Sequence, residues 1–273
     1  MAHRIIKIDY MNLGLQDKVI IVTGGAKGIG RGIVEVLAAE GALPVIVGRN
    51  ATDNLEVVTE LKAKGLMADQ VAADLIKPEL CKAAVEAIAE KYNHIDGLVN
   101  NAGVNDGVGL EGGNYEAFMA SLHKNLVHYY LMAHECLPYL KKSEGPIVNI
   151  SSKTADTGQG GTSAYAASNG GRNALTREWA VELLPYKIRV NALIVAECYT
   201  PLYAKWIETF DNPEEKLAEI TRRIPLGHRM TTAEEIANMV AFLLSDKSSH
   251  TTGQLIYVDG GYTHLDRAVG TLA

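Results

Sequence analysis

The run Thr23-Gly24-Gly25-Ala26-Lys27-Gly28-Ile29-Gly30 sets three glycines between a β-branched strand and a stretch of helical period. That arrangement is suited to holding a phosphate. Gly24 permits a tight turn, Gly28 lets the backbone approach a pyrophosphate, and Gly30 allows close helix–strand packing around Ile29. The helix that follows presents free N–H groups and the positive end of its dipole to an anion. Glycine trios are common connectors, so it is the flanking strand and helix that give this one a nucleotide-binding reading.

The end of the second strand bears on which nucleotide is bound. An NAD enzyme usually carries an Asp or Glu there to accept from the ribose 2′-hydroxyl. Here the position is Gly48, followed by Arg49, and Lys27 lies inside the glycine turn. Two cations without the carboxylate suit a 2′-phosphate and favour NADP(H) over NAD. In the other reading, Arg49 stacks on adenine and NAD binds. Asp74, at the end of the third strand, is either an acceptor for the adenine amino group or a solvated loop residue.

These residues need a scaffold, and the rest of the chain supplies its pattern. Short β-branched runs at Val19–Thr23, Pro44–Val47, Ala68–Ala73, Gly97–Val99, Ile147–Ile150, Arg189–Ile194 and Leu255–Val258 alternate with longer helical segments. Ile29, Ile33, Val36 and Leu37 recur on one helical face. Near-continuous apolar strands separated by helices imply a parallel sheet covered on both faces. The expected fold is α/β: one Rossmann-like, doubly wound parallel sheet of about seven strands, spanning residues 1–273 as a single domain. Residues 1–15 read as an N-terminal extension. Residues from about 200 to 235 interrupt the rhythm and are placed to form a lid over the substrate, or else extra packing at the sheet edge.

Composition narrows the function. A net charge of -6 argues against a nucleic-acid partner. No stretch of about 18 apolar residues occurs, so no membrane span is expected. Residues 1–15 lack the apolar core of a signal peptide. The cysteines Cys81, Cys136 and Cys198 are scattered without a C-x-x-C pair, which fits reduced thiols in a cytoplasmic protein. Nothing in the pattern calls for a metal.

Further motifs make a family resemblance specific. Asn100-Asn101-Ala102-Gly103 follows the fourth strand, Asn125 lies in the next helix, Ser151-Ser152 follows the fifth strand, and Tyr165 comes thirteen residues after Ser152. Val258-Asp259-Gly260-Gly261 closes the last strand. Over nearly its whole length the chain resembles the short-chain dehydrogenase/reductase family. The stretches VNDGVGL (104–110), SSKTADTGQG (151–160), LTREWAV (175–181) and VDGGYTHLDR (258–267) look most like its L-fucose dehydrogenase branch.

The resemblance implies an NAD(P)-dependent oxidoreductase acting on a CH–OH group, with Gly24, Lys27, Gly28, Ile29, Gly30, Arg49, Asp74, Asn101, Ala102, Gly103 and Thr200 around the cofactor. Hydride leaves an alcohol carbon only as the hydroxyl proton is removed, so a base is needed. Tyr165 matches the family's base, Ser152 the residue that holds the substrate oxygen, and Asn125 the residue that helps anchor a water in the proton path. Free tyrosine ionises at about pH 10, so positive charge must stand nearby.

Two departures stand out. The family motif is Tyr-x-x-x-Lys, and here Tyr165 is followed by Ala166-Ala167-Ser168-Asn169. Asn169 sits one helical turn from Tyr165, where the lysine would be, and brings no charge. A natural variant of weak activity, a retired relative and an introduced substitution all fit. On this reading Asn169→Lys raises turnover. The family's Pro-Gly after the sixth strand is Val195-Ala196, before Glu197.

The pocket mouth is expected to carry Asn105, Asp106, Lys153, Gln159, Glu197, Trp206 and His264, with Tyr203 beside Trp206. Acceptors and amides with a few aromatics suit a polyol or sugar rather than a steroid or acyl chain. Oxidation of an L-fucose-like aldose at C1 to its lactone is the leading expectation, with a homotetramer implied by the resemblance. A carbonyl reductase or hydroxysteroid-type dehydrogenase is the alternative enzyme. A catalytically weak nucleotide-binding relative is the alternative outside catalysis.

Overall fold

The computed structural model describes residues 12–265. Within them, β1 (Val19–Thr23), β2 (Leu43–Gly48), β3 (Asp69–Ala72), β4 (Gly97–Asn100), β5 (Ile147–Ser152), β6 (Val190–Val195) and β7 (Leu255–Val258) form one parallel sheet, ordered β3-β2-β1-β4-β5-β6-β7. Rossmann-like topology is therefore present. Strand order reverses between β1 and β4, and in such sheets ligands bind beyond the carboxyl ends of the strands at that reversal. The glycine turn follows β1 and the Asn101–Gly103 segment follows β4, so the two motifs stand on either side of the crevice.

The apolar runs explain the layers. Every residue of β1 is buried, and its side chains alternate between two cores. Ile20 and Val22 meet α1 (Gly28–Ala39), α2 (Ala51–Ala63) and α9 (Ala233–Leu244) through Ile33, Val57 and Val240. Val19 and Ile21 meet α3 (Pro78–Tyr92), α5 (His128–Ser143) and α6 (Ser163–Glu182) through Ile88, Met132 and Trp179. A helix α4 (Tyr115–Leu122) and a π-helical turn, His123–Val127, lead into α5. Burial pushes the thiols of Cys81 and Cys198 up to about 11, which leaves them protonated and inert.

Observed strand ends differ from the expected ones by up to two residues. The largest change matters for chemistry: β5 continues to Ser152, whose ladder partner is Val195 on β6. Polar Ser151 and Ser152 extend the ladder because β6 remains available to bond them. Lys153 and Glu197, each just past its strand, therefore come out side by side. In the 200–235 segment, Thr200 caps α7 (Pro201–Ile207) and Asn212 caps α8 (Pro213–Arg222).

The two ends of that excursion are pinned together. Thr231 N–H donates to Glu197 O at 3.0 Å, and Leu226 N–H donates to Gly260 O at 3.0 Å. Of the expected N-terminal extension, residues 1–11 lie outside the described residues, while Leu15 is buried in the core. No helix among the described residues is long and apolar enough to cross a membrane.

Candidate active site

The glycine turn has the shape its sequence requires. Gly24 and Gly28 have φ of +65° and +56°, where a side chain would be strained. A Cβ on Gly30 would lie 2.2 Å from Gly24 O, so only glycine lets the helix start this close to the turn. Thr23 and Asn101 lock the turn to β4. Thr23 Oγ1 accepts from the backbone N–H of Asn101 (2.8 Å) and Ala102 (3.1 Å), while Asn101 Nδ2 donates to Thr23 O (2.9 Å) and Gly24 O (3.2 Å).

Across the turn, the Thr200 methyl would lie 3.1 Å from a Cβ on Gly28, so Thr200 borders the same cradle. Its Oγ1 accepts from Tyr203 N–H at 3.2 Å. No side chain caps α1, so its N-terminal N–H groups, beside half-buried Ile29, are left for an anion.

At the far end of the cradle the structure adds a residue that the sequence pattern hid. Lys27 Nζ pairs with Asp53 Oδ2 at 2.5 Å, and Asn50 Nδ2 donates to the same oxygen at 2.8 Å. A carboxylate from the first turn of α2 thus stands beside the glycine turn. Arg49 is exposed beside it. Asp74 is half-buried and turns its Oδ1 to Ile76 N–H at 3.4 Å.

The turns that carry Ser152 and Tyr165 are joined through a buried asparagine, Asn169. Ser152 ends β5, and its Oγ accepts from Thr154 N–H at 3.3 Å. Tyr165 lies in the first turn of α6, half-buried. Asn169 Nδ2 donates to Tyr165 O at 2.8 Å and to Thr154 Oγ1 at 3.4 Å, tying the Ser152 turn to the Tyr165 turn. Asn169 itself is fully buried, and its Oδ1 accepts from Arg172 Nη1 at 2.9 Å.

Asn125 is also fully buried, in the π-helical turn. Its Oδ1 accepts from Val104 N–H at 2.7 Å and its carbonyl from Arg172 Nε at 2.7 Å. Gly103 has a packing role here, since a Cβ on it would lie 2.9 Å from Arg172 Nη2.

Arg172 and its surroundings were missed by motif reading, although positions 165, 169 and 172 share one face of a helix. The residue is 3% exposed, and its guanidinium lies 4.2 Å from the centre of the Tyr129 ring. His128 packs beside it, and burial, followed by the Arg172 charge, lowers its pKa to about 3. Burial raises the Tyr129 phenol to about 12, with Arg172 opposing the shift.

Just past the ends of β5 and β6, Lys153 and Glu197 form a tight, mostly buried ion pair. Tyr203 OH donates to Glu197 Oε2 at 2.8 Å, and burial followed by Glu197 raises that phenol's pKa. Lys153 Nζ also lies 3.9 Å above the Tyr262 ring, a C-terminal residue that the sequence reading did not single out. Trp206 continues the aromatic row, edge-on to Tyr203 at 5.1 Å.

Other expected pocket residues stand apart from this pair. Asp106 accepts from Ser121 Oγ at 2.7 Å and faces Lys124 at 3.5 Å. Asn105 is exposed and accepts from Gly107 N–H at 3.3 Å, and Gln159 is exposed. Their loops meet where Ala164 N–H donates to Val108 O at 3.2 Å. His264 packs edge-on against Tyr257 at 4.2 Å.

A parallel α/β sheet with a glycine cradle at its strand reversal and a Ser–Tyr pair beyond the neighbouring strand defines a dinucleotide-dependent oxidoreductase. A family model described as enoyl-(acyl carrier protein) reductase matches residues 24–263. The 3-oxoacyl-[acyl-carrier-protein] reductase FabG of Thermotoga maritima is 37% identical, covering 90% of this chain and 98% of the relative. L-fucose dehydrogenase of Bos taurus is 31% identical, covering 94% and 93%. The crystal structure of Cj0485 dehydrogenase superposes with a TM-score of 0.89 at 47% identity, covering 94% of this chain and 98% of that one. The chain belongs to the short-chain dehydrogenase/reductase family, whose members act on CH–OH groups with NAD(P).

The buried imidazole gives a stability prediction. His128 is neutral when folded, with Nε2 donating to Lys124 O at 2.9 Å, and its folded pKa lies below the free value of 6.5. The unfolded chain therefore binds the extra proton, so stability is intact above pH 6.5 and is lost as pH falls toward 3. Urea unfolding of wild type should lose up to about 1.4 kcal/mol more per pH unit in that window than His128→Asn. Parallel curves for the two proteins would contradict the assignment.

Proposed function

We propose that this protein oxidises a sugar of the L-fucose type at C1 to its lactone, with NADP as the preferred cofactor. The observation that carries the reading is the Lys153–Glu197 pair, set one residue past Ser152 and walled by Tyr203, Tyr262 and Trp206. Each Glu197 oxygen retains acceptor capacity and Lys153 retains donors, so the floor can bond adjacent hydroxyls while the rings cover an apolar sugar face. An acyl chain would cover that ion pair without answering its remaining donors and acceptors, at a cost.

When bound, the nicotinamide supplies the hydride acceptor. The chain does the rest. The glycine turn and the α1 N-terminus hold the pyrophosphate. Ser152 Oγ donates to the sugar C1 oxygen and fixes its position, and Tyr165 Oη takes the C1 hydroxyl proton as hydride departs. Asn125 holds the Val104 backbone behind the site. The helices α7 and α8 act as a lid that keeps water out, and His264 stands at its margin.

With NADP bound, exposed Arg49 would hold the 2′-phosphate, joined by Lys27 turning from Asp53, and Asp74 would accept from the adenine amino group. A cytoplasmic homotetramer completes the reading, supported by the buried free thiols and by Tyr130 on α5 and Val181 on α6, which are large and exposed.

A panel of aldoses and 3-oxoacyl thioesters, followed by cofactor absorbance, tests the substrate. L-fucose should be turned over with NADP, Tyr165→Phe should lose at least about a hundredfold in kcat, and Glu197→Gln should raise KM for the sugar but not for the cofactor. The greater identity to the 3-oxoacyl reductase favours a second reading as a carbonyl reductase. Turnover of the thioester and not of any aldose would establish it.

Cofactor choice has its own test. Arg49→Ala should raise KM for NADP at least about tenfold and leave that for NAD nearly unchanged, since one charge-assisted contact to phosphate is lost. Asp53→Asn should shift preference further toward NADP. Equal effects on both cofactors would reject a 2′-phosphate site.

A further inference from the structure

We propose that the positive charge which the family places four residues after its tyrosine is supplied in this chain by Arg172, one helical turn further on, with Asn169 as its coupling partner. The inference rests on Tyr165 being the base. Positions 165, 169 and 172 lie on one face of α6, and helical side chains lean toward the N-terminus, so the Arg172 guanidinium reaches back to the level of Asn169. The contacts follow that geometry. Nη1 bonds Asn169 Oδ1 at 2.9 Å, and the other end of that amide bonds Tyr165 O at 2.8 Å.

Arg172 carries a charge that no acid quenches. Among the described residues no carboxylate lies within ion-pair distance of it. Its partners are the neutral acceptors Asn125 O, Ile150 O and Asn169 Oδ1, with the Tyr129 ring beneath. Nη2 is buried against Gly103 without an acceptor among the described residues. A buried ion with no counter-ion is costly, and its field reaches further than that of a screened surface charge.

The surrounding titratable groups leave that field in place. His128 is held neutral and Tyr129 protonated. Lys153 is paired with Glu197. From the π-helical turn, His123 and Lys124 are exposed, and Lys124 faces Asp106. The helix α4 brings Tyr115 and Glu116, both exposed, and β5 and β6 bring no ionisable side chain.

Asn169 and Arg172 then form a matched pair. A lysine at 169 would set an ammonium against a buried guanidinium, so Asn169→Lys alone lowers turnover. That reverses the expectation drawn from sequence, where Asn169 stood alone as a loss.

The test is the pH profile of kcat with L-fucose and NADP for wild type, Arg172→Lys and Arg172→Met, beside phenolate difference absorbance (each protein minus its Tyr165→Phe version), which needs no turnover. Arg172→Met should move the acid limb and the phenolate midpoint up by about one pH unit, with cofactor Kd within about twofold. Arg172→Lys should keep both near wild type. Should Arg172→Met fail to fold, Asn169→Lys decides the matter by lowering kcat and Tm together, and Asn169→Lys with Arg172→Met by restoring them. An unmoved midpoint in Arg172→Met, or a rise in kcat from Asn169→Lys alone, overturns the proposal. A Tyr165→Phe protein as active as wild type would instead remove the reading beneath it.

Discussion

Everything functional in this fold depends on how closely the turn after β1 approaches the end of β4. Gly24 and Gly30 remove the side chains that would keep backbone from backbone, and Asn101 bonds both carbonyls of the turn. Strand reversal opens a crevice at that place, but the crevice alone binds nothing. The contact turns it into a cradle with N–H groups facing outward. The same stretch, two residues beyond Asn101, supplies Gly103, whose missing side chain gives the Arg172 guanidinium its room. Cofactor cradle and buried cation are thus two consequences of one backbone path.

Polar burial, more than apolar packing, then sets the chemistry. Two cations flank the Ser152–Tyr165 region and are handled differently. Lys153 is matched by Glu197 and lies over the Tyr262 ring. Among the described residues Arg172 is matched by carbonyls, an amide and a ring, without a carboxylate. A paired charge recognises polar groups without projecting much field, while an unpaired one projects field without touching substrate. The sheet sets the two apart, because Lys153 and Glu197 leave adjacent strands whereas Arg172 sits down the length of α6.

Much of the architecture was legible from residue order. Buried parallel strands are continuous β-branched runs, so β1 and β7 could be bounded to the residue and the others nearly so. Where the ladder runs on through polar side chains, as at Ser151 and Ser152, hydropathy says nothing, because the neighbouring strand decides. The glycine turn was readable since its constraint is local. Asp53 was not, because its partner Lys27 is brought to it across a helix and a strand. Asn169 looked like a simple loss when judged by position four. Its bonding partner Arg172 lies at position seven, a residue whose burial no motif records. Pocket residues were the least legible, since Asn105, Asp106 and Gln159 lie on loops whose aim is set by distant packing.

The central claim is that the Tyr165 and Ser152 hydroxyls converge on one face of a nicotinamide ring whose pyrophosphate lies on the Gly24–Gly30 turn. A crystal structure with NADP and L-fucose measures this directly. The account predicts both hydroxyls within hydrogen-bond distance of the sugar C1 oxygen, with the ring on the C1 side. A dinucleotide bound away from the glycine turn, or a sugar oxygen reached by neither hydroxyl, would contradict it.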